Sequence, residues 1–196
     1  MSYFLTTEVS TAGLIKYNTK TSIDFMFFQK GARKDVSDVN IFLSASQKSI
    51  QKIQDYHLVS TIGPTLISAK LKNIILDIVP EEVDIYSAPI ECNGVIFDSF
   101  YAIRPKSLIE CCDLGASEYE VEEIDQYEKS YRFLYCALQK DIPYGMQIVR
   151  CEEFPRLIVV GDSIKEACFE AKLKGLLFAQ SIDFTPKGRG IGDKVK

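Results

Sequence analysis

Hydrophobic positions along this chain recur with two periods, and the change from one to the other marks the elements. Aromatic and β-branched density predicts strands over 3–9 and 22–28, the second (SIDFMFF) buried. Residues 30–38 are polar, contain Gly31 and read as a loop, and 40–43 as a short strand. Over 44–56 the period becomes helical. Ile50 and Ile53 form a short stripe, and Ser44 with Gln47 three residues on fits a capping box.

Two strand-to-helix units follow the same design. In the stronger one, 157–160 is a strand, Asp162 or Ser163 caps a helix, and Ser163 with Glu166 fits the capping box. Ile164, Ala167, Cys168 and Ala171 line one face, and Gly175 sits where a left-handed C-cap is needed, with Lys172 and Lys174 beside the helix's negative end. In the weaker copy, 65–67 is extended, Ser68 caps, Leu71, Ile74, Ile75 and Ile78 follow at helical spacing, and Pro80 ends the run. Between the two units, 83–88 and 95–103 read as strands, with Asn93-Gly94 as a hairpin turn. Bulk on both faces of 95–103 makes it a covered, central strand. Further strands are predicted over 131–138 and 146–151, with a turn at KDIPYG.

The pattern predicts an α+β fold: a mixed, mostly antiparallel sheet with about three packed helices, as one unit or two lobes. Residues 1–60 form a strand-rich N-terminal part, 61–184 the main α+β domain, and 185–196, which lack an apolar pattern, a flexible tail.

Composition narrows the function classes. With 46% hydrophobic and 26% charged residues the chain has the makings of a folded core. A net charge of −4 argues against nucleic acid as partner. No apolar run approaches the ~20 residues of a spanning helix. The start, MSYFLTTEVS, lacks the basic and apolar regions of a secretory signal, so the expected compartment is the cytoplasm, with no membrane partner.

Candidate chemistry is sparse. His57 is the one histidine, so any Ser/His/Asp or Cys/His system must use it, and nothing in QDYHLVS marks it as a base. The six cysteines contain no C-x-x-C; Cys111 and Cys112 are adjacent, a poor spacing for two ligands of one ion. Cys136 in FLYCAL and Cys168 in EACFEA read as small buried hydrophobes. Gly188-x-Gly190-x-Gly192 has no helix after it and cannot cradle phosphate. No cofactor and no metal are expected. Residues 107–128 stand out instead. They hold eight acidic side chains and no Lys or Arg, with Tyr119, Tyr127, Tyr131 and Tyr135 nearby. Glu118, Glu120 and Glu122 would share a face of a strand. The segment reads as a solvated acidic face or as a contact surface for a basic partner, with Glu118, Tyr119, Glu120, Glu122, Glu123, Asp125 and Tyr127 as the contact candidates.

The order of elements from Leu58 to Phe178 resembles an immunity-protein family of bacterial polymorphic toxin and type VI secretion systems, formerly a domain of unknown function. The matching pieces are LVSTIGPTLISAKLKNIILDI, DIYSAPI with SFYAI, LIECCDLGAS, and QIVRCEEFPRLIVVGDSIKEACFEAKLKGLLF. The chain departs from the pattern at Gly161, where a Ser often precedes the helix, and at Arg104, where a small polar residue is more usual. The resemblance implies a non-enzymatic protein that binds and neutralises a cognate toxin or effector, and it transfers no site residues. Two other readings compete with it. One is a small cytoplasmic enzyme with Cys111 or Cys112 as nucleophile and His57 as base. The other is a non-enzymatic adaptor subunit that pairs a strand with another chain.

Overall fold

The computed structural model describes residues 1–7, 10–29, 39–123, 129–139, 141, 145–185 and 190–195. Among the described residues are four α-helices and three sheets, an α+β architecture richer in strand than in helix. The large sheet runs β10 (Leu108–Ile109), β13 (Ile148–Cys151), β14 (Ile158–Gly161), β1 (Ser2–Thr7), β15 (Leu176–Asp183), β12 (Lys129–Ala137) and β11 (Glu118–Glu123); β16 (Gly190–Lys194) also pairs with β15. A second sheet runs β2 (Ile15–Tyr17), β3 (Leu43–Ala45), β7 (Ile90–Cys92), β8 (Val95–Phe97). The third runs β4 (Leu58–Ser60), β5 (Thr65–Ser68), β9 (Phe100–Pro105), β6 (Val83–Ser87). The pairings of β10 with β13 and of β3 with β7 are parallel; the other strand pairings are antiparallel.

Alternation along each strand distributes its side chains between two layers. On β1, Tyr3 and Leu5 enter one core and Phe4 the opposite one. On β14, Ile158 and Val160 enter the first and Val159 the other. The first core joins the large sheet to Ile67 and Ile103 of the third sheet, to Leu71 and Ile75 of α3 (Ala69–Ile78), and to Ile164 and Cys168 of α4 (Asp162–Glu170). α3 and α4 pack on one another within it. The other face of the third sheet, through Leu66 and Ala102, packs on the second sheet with α1 (Met26–Gln29) and α2 (Gln47–Ile53). Each such fully buried Ile, Leu or Phe contributes ~1.5–3 kcal/mol. β1 lies between β14 and β15, so the N-terminal residues are part of the main sheet and not a separate piece.

Several predicted elements form as read. Ser68 caps α3, its Oγ accepting from Leu71 N at 3.3 Å, and Pro80 opens a single 3-10 turn beyond it. Asn93 and Gly94 have φ of 52° and 79° and turn β7 into β8. β9 is central, between β5 and β6.

Others differ, each for a local reason. Residues 22–28 are not a strand: Asp24 Oδ1 accepts from Met26 N at 2.9 Å and starts the short helix α1, whose Phe27 and Phe28 are buried. Arg104 fixes that helix, donating to the Phe27 carbonyl at 3.1 Å and to Asp84 at 3.0 Å while its guanidinium lies 4.4 Å from the Phe27 ring. Ser46, not Ser44, caps α2, because Ser44 belongs to β3. Residues 95–103 divide at Asp98 and Ser99 into β8 and β9, which belong to different sheets. Neither Asp162 nor Ser163 caps α4; Gly161 precedes it with no side-chain cap, and the Asp162 carboxylate pairs with the Met1 ammonium and accepts from Tyr3 OH. A Cβ at Gly161 would lie 2.4 Å from Gln147 Oε1, the tip of a flexible side chain that would have to turn aside. In the expected tail, Gly190–Lys194 forms β16 on β15, and a Cβ on Gly192 would lie 1.9 Å from the Phe178 carbonyl oxygen. Gly192 permits that strand pairing. The loop expected over 30–38 lies outside the described residues.

α4 ends in a Schellman arrangement three residues before Gly175. Lys172 N–H donates to Phe169 O and Leu173 N–H to Cys168 O, both at 3.0 Å, and Lys172 carries the left-handed φ of 52°. Lys172→Gly removes the Cβ penalty of that conformation, so it should raise stability by up to about 1 kcal/mol and the melting temperature by about 2–4 °C. Differential scanning calorimetry checks this.

Glu82 ties the third sheet to the large one. Its Oε2 accepts from Gln147 N and Ile148 N, each at 2.9 Å. Glu82→Ala leaves both amides without that acceptor and should destabilise by about 2–3 kcal/mol in urea unfolding.

Candidate functional site

β11 ends the large sheet and pairs only with β12 among the described residues. Its register sets Tyr119 opposite Phe133, Glu120 opposite Arg132 and Val121 opposite Tyr131. The strand therefore has two unlike faces. Tyr119 turns inward, 5.4 Å from the Tyr131 ring and 5.6 Å from Phe133, and the aromatic series continues through Phe154 to Phe184. These contacts hold the edge strand on the second core of the large sheet. Glu118, Glu120 and Glu122 face the other way and are exposed. Arg132 Nη1 meets Glu120 Oε2 at 3.2 Å. Both side chains are more than half exposed, so this pair adds little stability but neutralises one carboxylate of the three. The acidic face is thus real, and Tyr119 supports it from beneath without belonging to it. Val121 is 47% exposed and adds an apolar spot on the strand's other side. Glu123 closes the strand, and Asp125 and Tyr127 lie outside the described residues.

His57 is placed elsewhere. It lines a cavity of about 610 Å³ with Asp55, Tyr56, Ser68, Lys70 and Lys172, and its Nδ1 lies 2.9 Å from Ser68 Oγ. Ser68 thus serves the helix cap and the imidazole together. No cysteine lines this cavity; Cys111 and Cys112 are buried in the core on the far face of the large sheet. His57 and the two thiols are not brought together. Burial, then the charge of Lys70, holds the imidazole pKa below its ordinary value. The unfolded chain therefore binds a proton more readily than the folded one. Stability present above the ordinary histidine pKa is lost as pH falls toward the folded value. His57→Gln should flatten that loss between about pH 7 and pH 5. The difference between wild-type and variant urea midpoints across this window isolates the His57 contribution.

A further constellation is invisible in the sequence. Cys112 Sγ lies 2.9 Å from Cys136 Sγ and 3.5 Å from Cys151 Sγ. Cys151 Sγ lies 3.2 Å from Glu153 Oε2. The amides of Cys111 and Cys112 donate to the same carboxylate at 3.0 and 2.9 Å. Strand register does this: β10 runs parallel to β13, Cys112 bridges to Leu138 beyond the end of β12, and Cys151 ends β13. The neighbouring thiols of Cys111 and Cys112 lower the pKa of Cys151, while burial, then the charge on Cys151, raises that of Glu153 to about 7. The short spacing of Cys151 and Glu153 is the sole local trace of the arrangement.

Arg150 is buried on the other face of β13. Its Nη1 donates to the Pro155 carbonyl at 2.6 Å, and Nε and Nη2 find no partner among the described residues. Burial, then Arg104, lowers its pKa to about 10.

No helix among the described residues is long and apolar enough to cross a membrane. No protein-family model matches the chain, and no curated protein matches it.

Proposed function

We propose that this chain acts by binding another protein, in the manner of an immunity protein that neutralises a cognate toxin, and that β11 lies at the contact. The carrying observation is the edge position of β11 combined with three exposed glutamates on one face. Two physical effects make such an edge a docking element. Its outer N–H and C=O groups suit a strand from a partner. Its carboxylates draw in a basic surface, which speeds encounter and discriminates against acidic proteins. Exposed Val121 adds a small apolar contact that rewards close approach. The cytoplasm is the compartment in which such a protein would meet its partner before the partner acts.

The test replaces Glu118, Glu120, Glu122 and Glu123 by Lys. The side chains of Glu118, Glu120 and Glu122 are exposed, so a folded variant is expected, to be verified by its melting curve. In cells expressing the neighbouring gene product as the candidate toxin, the variant should fail to protect. Its affinity for that toxin should fall about 100-fold or more, mostly through a slower association that depends on salt. Full protection by the folded variant would remove β11 from the contact. A neighbouring gene product that neither binds nor poisons would remove the immunity reading itself.

A further inference from the structure

We propose that Cys112, Cys151 and Glu153 hold a zinc ion, with Cys136 as the fourth ligand. This site lies in the core behind the large sheet and is separate from the partner-binding reading of β11. Three segments distant in sequence deliver its atoms: the stretch after β10, the strand β12, and β13 with the residues that follow it. The ligand atoms of Cys112, Cys151 and Glu153 all lie within 4.8 Å of one another. A tetrahedral zinc, with bonds of ~2.3 Å to sulfur and ~2.0–2.2 Å to oxygen, spaces its ligand atoms ~3.5–3.8 Å apart. The Cys112–Cys151 distance of 3.5 Å and the Cys151–Glu153 distance of 3.2 Å lie within a few tenths of an ångström of that spacing. The Cys136 sulfur lies 2.9 Å from that of Cys112 but outside the group of atoms within 4.8 Å of one another, so it becomes the fourth ligand by a χ1 rotation that carries it away from Cys112 and toward Cys151 and Glu153.

The donor set chooses the metal. Two or three thiolates with one carboxylate suit zinc, whereas copper(I) and iron–sulfur clusters favour sulfur alone, and calcium and magnesium favour oxygen alone. Cys112, Cys136 and Cys151 are at most 2% exposed and Glu153 is half-buried, so the sulfur ligands are shielded from water, as in a structural site. Glu153 is prepared for the role. A carboxylate offers about four lone-pair positions. The amides of Cys111 and Cys112 take two, and the Cys151 thiol takes a third. As each zinc–sulfur bond forms, the thiol releases its proton to solvent, and the position held by the Cys151 proton passes to the metal. The two amides remain, orienting the carboxylate and offsetting its charge. A disulfide between Cys112 and Cys136 would use the closest pair but would leave Cys151 and Glu153 without a purpose. Zinc accounts for the convergence of Cys112, Cys151 and Glu153.

The test uses the full chain purified under reducing conditions without chelator. Elemental analysis should find about one zinc per chain. Cys112→Ser and Cys151→Ser should each lose it, and Cys92→Ser and Cys168→Ser should keep it. Because a ligand variant can lose its fold, a second measurement uses wild type alone. Protein unfolded in chelator and refolded with reductant should melt about 5 °C or more higher when zinc is supplied than when it is withheld. Wild-type protein that carries no zinc, and whose melting point zinc does not move, overturns the site. So does metal-free protein lighter by two hydrogens until it is reduced, which would make Cys112 and Cys136 a disulfide.

Discussion

The need to cover both faces of the large sheet governs how everything else is arranged. Ile158, Val159, Val160 and Gly161 are all buried, as are Ile148 to Cys151. A strand of that kind cannot lie at a surface, so one face receives α3, α4 and the third sheet and the other receives the aromatic and cysteine-rich layer under β11 and β12. The third sheet has the same need, met by the second sheet with α1 and α2. The three layers of core are therefore consecutive, and the polar groups that join them, Glu82 and Arg104, sit at the seams. The acidic edge is a by-product of this stacking: β11 is where coverage ends, packed through Tyr119 on one side and open on the other.

Much of the local structure was legible because local signals and tertiary needs agreed. Ser68, the Leu71–Ile75 spacing and Pro80 define α3, and Asn93-Gly94 defines its turn, since each depends on atoms within a few residues. Legibility failed where a side chain was claimed by something distant. Asp162 has the chemistry of a cap but serves the N-terminal ammonium, so α4 begins at a glycine. SIDFMFF signals burial truthfully, yet aromatic density does not distinguish strand from helix, and the Asp24 side chain decides in favour of a helical turn. The GRGIG glycines suggest a loose end until the Phe178 carbonyl is seen to occupy the space a side chain would need.

The candidate sites divide along the same line. The acidic face was visible in the alternation of Glu118, Glu120 and Glu122, because period-two spacing is a property of the strand itself. The role of Tyr119 was not, because only pairing with β12 shows that it turns toward Phe133. Of the sulfur cluster only the short spacing of Cys151 and Glu153 was visible. Adjacency of Cys111 and Cys112 argues against a shared ion, and it correctly separates those two: the Cys111 thiol bonds back to the Ile109 carbonyl while Cys112 faces Cys136 and Cys151. The partners come from elsewhere in the chain.

The location of β1 bears on how the molecule is born. Its residues find their hydrogen-bond partners in Ile158–Gly161 and Leu176–Ala179, far along the chain from β1. Until those segments emerge from the ribosome, Tyr3, Phe4 and Leu5 lack these partners. The central seam of the large sheet can close only once Leu176–Ala179 has been made, so β1 stays an unsatisfied strand while the residues between are synthesised, and closing it is a long-range contact of the intrinsically slow kind.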